Sequence, residues 1–169
     1  MSLPDLERIY DAHSQALFAF LLHLTSDDSH TYDLMQELFL KLAANPDLLS
    51  AVRDERAFLI RMAHNLVVDA ARRRQAHQRK MEGLALEMNS FFSTSDDPDE
   101  RIFREALTHE LGSLPSEQRS VLHLKLWEGM TFGEIATALA ISPNTAASRY
   151  RYGLDKLREA LRPLYEEIK

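Results

Sequence analysis

The sequence predicts an all-α protein: two helical domains joined by a flexible linker. Three observations carry this. Apolar residues recur at helical spacing in one segment after another. Alternating apolar–polar runs of the kind strands need are absent, and glycine is scarce, at five in 169 residues. Between the helical segments, residues 84–100 read LALEMNSFFSTSDDPDE, a stretch rich in Ser, Asp and Pro that loses its helical period after about Met88.

Residues 4–24 form the first helical pattern, with Leu6, Ile9, Tyr10, Leu17, Phe20, Leu21 and Leu24 on the repeat. The polar run from Thr25 to Ser29 interrupts it and supplies candidate N-caps. A second helix is predicted over 28–44. Leu34, Leu38 and Leu42 stack at four-residue intervals, with Met35 and Phe39 beside them, and Asp33, Gln36, Glu37 and Lys41 occupy its remaining surface. Asn45-Pro46-Asp47 ends it, because a proline disfavours helical geometry in the residue before it. A long third helix is predicted over 55–80, with Phe58, Met62, Leu66 and Val67 as its apolar stripe. Its far end carries Arg72-Arg73-Arg74, then Arg79 and Lys80, and cations there also suit the helix dipole.

Beyond the linker, in which Phe91 and Phe92 are expected to pack on something, residues 101–112 place Ile102, Phe103, Leu107 and Leu111 at helical spacing. Leu114-Pro115-Ser116-Glu117 opens a helix that runs to about Trp127, and Glu128-Gly129-Met130 is a turn. A short helix from Thr131 carries Ile135, Ala136 and Leu139. It breaks at Ala140-Ile141-Ser142. Ser142 is a natural N-cap and Pro143 stands at the first helical position, where its missing N–H costs nothing. The last helix, about 143–161, puts Ala146, Tyr150, Leu154, Leu157 and Leu161 on one stripe. Thr145, Ser148, Arg149 and Tyr152 fall opposite, with Arg151 at the flank. Helix, three-residue turn and capped helix make a helix-turn-helix pattern whose hydroxyls, guanidinium and phenol suit phosphates and base edges. A plain amphipathic hairpin with a solvated face has the same periodicity.

The net charge of −6 argues at first against nucleic acid, but its distribution does not. Residues 1–50 carry −6, residues 51–81 carry +5, residues 82–118 carry −7 and residues 119–169 carry +2. Two basic blocks therefore alternate with two acidic ones. The third helix adds a polar face on which Arg61, Asn65, Asp69 and Arg72 recur at steps of four, four and three and lead into the arginine cluster. Asn can read base edges and Arg neutralise phosphate, although a solvated helix would show the same spacing.

Other chemistry finds little support. There is no cysteine, which fits a reducing cytosol and excludes disulfides and thiolate metal sites. The seven histidines lack metal-ligand spacing, so neither a metal nor a cofactor is expected. No Gly-rich phosphate loop or nucleophile elbow is present, and catalysis is not expected. No apolar run is long enough to span a membrane, and the first residues do not read as a secretory signal, so a cytoplasmic protein is expected.

Both halves of the chain resemble one family, the extracytoplasmic-function (ECF) sigma factors of bacterial RNA polymerase. In the first half the likeness rests on IYDAHSQALFAFLLHLT, DLMQELFLKL and FLIRMAHNLVVDAARRR. In the second it rests on LPSEQRSVLHLKLWEGMTFGEIATALAISPNTAASRYRYGLDKLR. The resemblance implies a sigma domain 2 over 1–83, a linker over 84–100 and a sigma domain 4 over 101–169. It further implies that Asp33, Gln36, Glu37 and Phe39 dock on the coiled coil of the largest subunit of core polymerase. Arg61, Asn65, Asp69, Arg72, Arg73 and Arg74 would hold the melted minus-10 strand. Thr145, Ser148, Arg149, Arg151 and Tyr152 would read the minus-35 element, and an anti-sigma factor is an implied partner. The chain departs from the family pattern at Ala140, where the turn usually carries Gly, and at Ala147 and Tyr152, where many members carry Arg. A stand-alone helix-turn-helix regulator with a helical dimerisation lobe is the alternative reading.

Overall fold

The structure is a computed structural model that describes residues 3–78 and 98–167. Its described residues form seven α-helices and one short 3-10 helix, with no strand among them. In order these are α1 (Leu3–Thr25), α2 (Asp28–Ala44), the 3-10 helix (Pro46–Leu49), α3 (Glu55–Gln78), α4 (Pro98–Ser113), α5 (Ser116–Leu126), α6 (Phe132–Leu139) and α7 (Pro143–Glu167). The all-α expectation and the order of helices hold. Arg79, Lys80, Phe91, Phe92 and most of the expected linker lie outside the described residues.

Local chemistry sets the helix starts. Asp27 Oδ1 accepts from the His30 N–H at 3.0 Å and begins α2, and Asp54 Oδ1 does the same for the Ala57 N–H of α3 at 2.9 Å. Thr131 and Glu134 form a reciprocal capping box on α6. Ser142 Oγ accepts from the Thr145 N–H at 3.0 Å, the N-cap its position in the sequence predicts. Between α6 and α7, Ala140 stands in the left-handed region at φ 55 and ψ 46. The departure from Gly therefore leaves the turn geometry intact, at a cost of about 1 kcal/mol for the Cβ.

Two helices run further than their patterns predict. α4 begins at Pro98, three residues before the expected start, and proline suits a first helical turn. α7 continues through Pro163 to Glu167. A proline so near a helix end breaks a single hydrogen bond that fraying would weaken anyway.

The burial of α3 differs most from its predicted stripe. Leu66 and Val67 are buried as expected, but Phe58 and Met62 are only partly so, while Ala57, Leu59, Ile60, Ala63 and Ala70 are buried as well. The reason is position: α3 is packed against α1, α2 and α6 at once. Tyr10 of α1, which recurs at helical spacing with the buried residues of that helix, is 53% exposed.

The two helical groups are packed together. A single apolar core runs from Leu21, Leu38 and Leu59 into Val121, Leu124, Ile135 and Ala138. Leu111, Leu114, Leu122 and Leu157 form a smaller cluster tying α4, α5 and α7. Gly153 of α7 sits where a Cβ would lie 2.8 Å from Leu122 Cδ1, which explains why this helix has no side chain at the α5 crossing. Sequence alone showed two helical units but not this seam between them.

Candidate nucleic-acid and polymerase interfaces

Three surfaces collect the residues singled out in the sequence. The first is a groove of about 910 Å³ between α1 and α2. Asp33, Gln36 and Phe39 line it. The groove adds aromatic walls. Tyr10 packs on Phe39 with ring centroids 5.1 Å apart, and Phe18 on Tyr32 at 4.9 Å. Tyr32 is 65% exposed. Glu37 is not among the lining residues. Its carboxylate meets Lys41 at 3.0 Å and Arg73 at 3.8 Å, so it ties α2 to α3.

The second surface is the polar face of α3, and its two ends differ. Asn65, Asp69, Arg72, Arg73 and Arg74 are exposed. Asp69 lies 3.8 Å from Arg72, a loose surface pair that leaves the guanidinium available to other partners. Arg61 is engaged elsewhere. Its guanidinium donates to the Ala138 carbonyl at 3.2 Å and to the Thr137 carbonyl, the last turn of α6. A cation at the carbonyl end of a helix is electrostatically favourable, so the contact is a stable use of this side chain. Beside it His64 is held below the usual histidine range by burial, with Arg149 adding to the effect.

The third surface is the start of α7. Arg151 and Tyr152 are exposed, with the guanidinium 5.2 Å from the ring centroid. Thr145 and Ser148 are half-buried, and the Thr145 hydroxyl is 2.8 Å from that of Ser142. Arg149 is more withdrawn than its stripe suggests. It is a quarter exposed and pairs with Glu117 of α5 at 3.0 Å. Asn144 is exposed in the first turn and was not in the predicted set. The signal was available, because helix-turn-helix proteins address base edges with the N-terminal residues of the second helix.

Between these surfaces lies the seam. Arg56 of α3 donates to the Glu128 carboxylate and, at 3.1 Å, to its carbonyl. Arg119 of α5 donates to four carbonyls: Gly112 at 2.6 Å, Leu114 at 2.8 Å, Leu24 at 3.2 Å and His23 at 3.3 Å. His23 and His123 touch through their Nδ1 atoms, and both are buried. No cluster of His, Cys, Asp or Glu suited to a metal occurs among the described residues. No helix among them is long and apolar enough to cross a membrane.

Comparison with known proteins bears on the family and the fold. The family model for "ECF sigma factor" matches residues 19–163. The ECF RNA polymerase sigma factor SigL of Mycobacterium tuberculosis is 30% identical over 158 residues, covering 92% of this chain and 88% of that protein. SigX of Bacillus subtilis, of the same description, is 25% identical over 170 residues, covering 95% and 85%. Among solved structures, the sigma factor RpoE of Bartonella quintana, crystallised with the anti-sigma factor NepR, superposes with a TM-score of 0.72 at 22% identity, over 95% of this chain and 98% of that one. A family match over most of the chain, relatives aligned nearly end to end and a shared two-unit helical fold lead to one conclusion: the chain belongs to the ECF sigma factors, the subunits that bind core RNA polymerase and promoter DNA and direct transcription initiation.

Proposed function

We propose the following division of labour along the chain. Residues 1–83 act as sigma domain 2, residues 84–100 as the linker and residues 101–169 as sigma domain 4. The α1–α2 groove takes the coiled coil of the largest polymerase subunit, with Asp33 and Gln36 on its polar edge and Phe39 in its aromatic wall. The exposed part of α3, from Asn65 and Asp69 to Arg72, Arg73 and Arg74, holds the melted minus-10 strand, and Arg61 joins it once released from α6. Asn144, Thr145, Ser148, Arg151 and Tyr152 read the minus-35 duplex in the major groove, and Arg149 supports them from its pair with Glu117.

The observation that carries this reading is the exposed arginine end of α3 beside the α2 groove, in the same chain as a capped helix-turn-helix. A stand-alone regulator needs the second feature and neither of the others. The mechanism is differential binding without covalent chemistry by this chain: holding unstacked bases offsets part of the few kcal/mol that melting each step costs. Phosphodiester synthesis belongs to the polymerase, and the protein works in the cytoplasm as a non-enzymatic factor. The anti-sigma factor bound to the Bartonella protein supports a regulator of that kind here too.

Co-purification and transcription with core polymerase test the assignment. Wild type should bind core and initiate at a selected promoter. Phe39→Ala with Gln36→Ala should lose core binding while keeping helical content and duplex minus-35 binding. Retention of full core affinity by that variant overturns the groove assignment.

A further inference from the structure

The seam between the helical groups contains an arrangement that promoter recognition does not require. His23 near the end of α1 faces His123 of α5, Nδ1 to Nδ1, and both rings are buried. Trp127 closes over them, its ring centroid 4.8 Å from that of His23 and stacked on His123 at 5.7 Å. A hydrogen bond between two ring nitrogens needs one N–H and one lone pair. The contact therefore tolerates at most one proton between the two Nδ1 atoms, and a doubly protonated pair cannot keep it. On its other side His123 Nε2 lies 3.5 Å from a Glu128 oxygen. Around His23, α5 contributes Arg119, whose guanidinium donates to the His23 carbonyl, and His123; the turn after α5 contributes Glu128, already bound to Arg56 of α3. The balance facing His23 is cationic.

We propose that this histidine pair is a proton-sensitive latch: as pH falls through the mildly acidic range, protonation of His23 against His123 and Arg119 shifts the balance towards a form in which the two helical groups are apart and Arg61 is released from α6. The link to promoter binding rests on the reading of Arg61 as a minus-10 contact, whereas the opening itself does not. Opening matters for geometry. Elements near −10 and −35 are about 25 base pairs apart, or roughly 85 Å of duplex at 3.4 Å per step. Two units sharing one core cannot reach both, since α3 itself spans only about 36 Å at 1.5 Å per residue.

The direction with pH follows from where the proton is excluded. In the closed form His23 is pushed down to about 3, first by burial and then by the charges of His123 and Arg119, while Glu128 opposes them. Exposed, it returns to about 6.5. The depressed closed-form value means that closure is fully favoured above about pH 7 and weakens as pH falls through 6.5 towards 3. Between pH 7.5 and 5.5 the open-to-closed ratio should rise about tenfold from this one group.

The native chain has no cysteine, so a dye pair can be placed at Ser29→Cys and Ala160→Cys, both exposed positions. Energy transfer is followed from pH 7.5 to 5.5 in the otherwise wild-type protein and in Arg61→Ala, whose weaker seam brings the equilibrium into range. Transfer should fall in Arg61→Ala by an amount equivalent to about a tenfold change in the ratio. Adding His23→Gln, which keeps an acceptor but cannot titrate, should leave the signal flat whatever its level. No change with pH in Arg61→Ala, or an unchanged pH response after His23→Gln, overturns the latch. Binding of a melted minus-10 strand is measured separately. A latch that opens without improving strand binding by the Arg61-containing protein counts against the role of Arg61 and leaves the latch standing.

Discussion

The two helices assigned to promoter DNA, α3 and α7, present themselves differently. α7 starts with a cap, holds its core stripe on α5 and α6, and leaves Asn144, Arg151 and Tyr152 in solvent. α3 exposes its arginine end but gives Arg61 to the carbonyls of α6. On the proposed assignment the duplex reader is ready, and the single-strand reader is partly occupied by its own chain. Duplex recognition needs a preformed helix face. Strand capture needs a surface that becomes complete when the DNA opens, and a contact that can be exchanged there is compatible with that order of events.

The comparison is broken most severely by removing the charge at the end of α3. Arg72, Arg73 and Arg74 all replaced by Ala should weaken binding to a melted minus-10 strand by on the order of 100-fold. The log–log salt slope should fall by about 2, at roughly 0.7 for each phosphate of a single strand that is no longer neutralised. Binding to an isolated minus-35 duplex should change far less, and titrations at several salt concentrations separate the two effects. Equal losses on both DNAs would mean that the arginines act as a general electrostatic field and that α3 has no strand-specific role.

On α7 the informative contrast is between neighbours. Arg151→Ala should cost about 1–3 kcal/mol in minus-35 binding and relax base preference at one position, as expected for a direct base contact. Arg149→Ala should cost less, because that guanidinium is already paired with Glu117 at 3.0 Å. Competition binding against a panel of single-base variants checks both. A larger effect at Arg149 would show that its pair opens on DNA, and would restore the reading its stripe suggested.

These contrasts also mark how far the sequence could be read. Each helix was visible because its apolar residues repeat and its caps are chemically explicit, as at Ser142 and Pro143. The polar faces of α3 and α7 were visible for the same reason. What periodicity cannot report is what a face meets. Arg61 and Asn65 share one face, one turn apart, yet one binds α6 and the other faces solvent, because α6 arrives from another part of the chain. Glu37 is grouped with Gln36 and Phe39 by the family resemblance, and its carboxylate meets Lys41 at 3.0 Å and Arg73 at 3.8 Å. Tyr10 recurs with the apolar residues of α1 and lines the groove. His23 and His123 stand 100 positions apart, and nothing local marks them as partners. The missed features are those created by long-range packing.

The helix-turn-helix itself can be tested at its two joints. Ser142→Ala removes the acceptor for the Thr145 N–H and should destabilise the C-terminal unit by about 1 kcal/mol, within the usual range for a lost N-cap. Chemical denaturation followed by helical circular dichroism reads this, and minus-35 affinity should fall with it because the cap positions the reading turn.

The smallest expected effect has the opposite sign. Ala140 holds φ 55, a conformation that a Cβ penalises and glycine does not. Ala140→Gly removes that strain but also loosens the unfolded chain, which offsets part of the gain. The net should be a stabilisation of up to about 1 kcal/mol with unchanged minus-35 affinity. A destabilised protein would mean that the Ala140 methyl contributes packing that its exposed position conceals. A stabilised protein with altered minus-35 preference would mean that the turn, and not the α7 side chains alone, sets the angle at which the helix enters the groove.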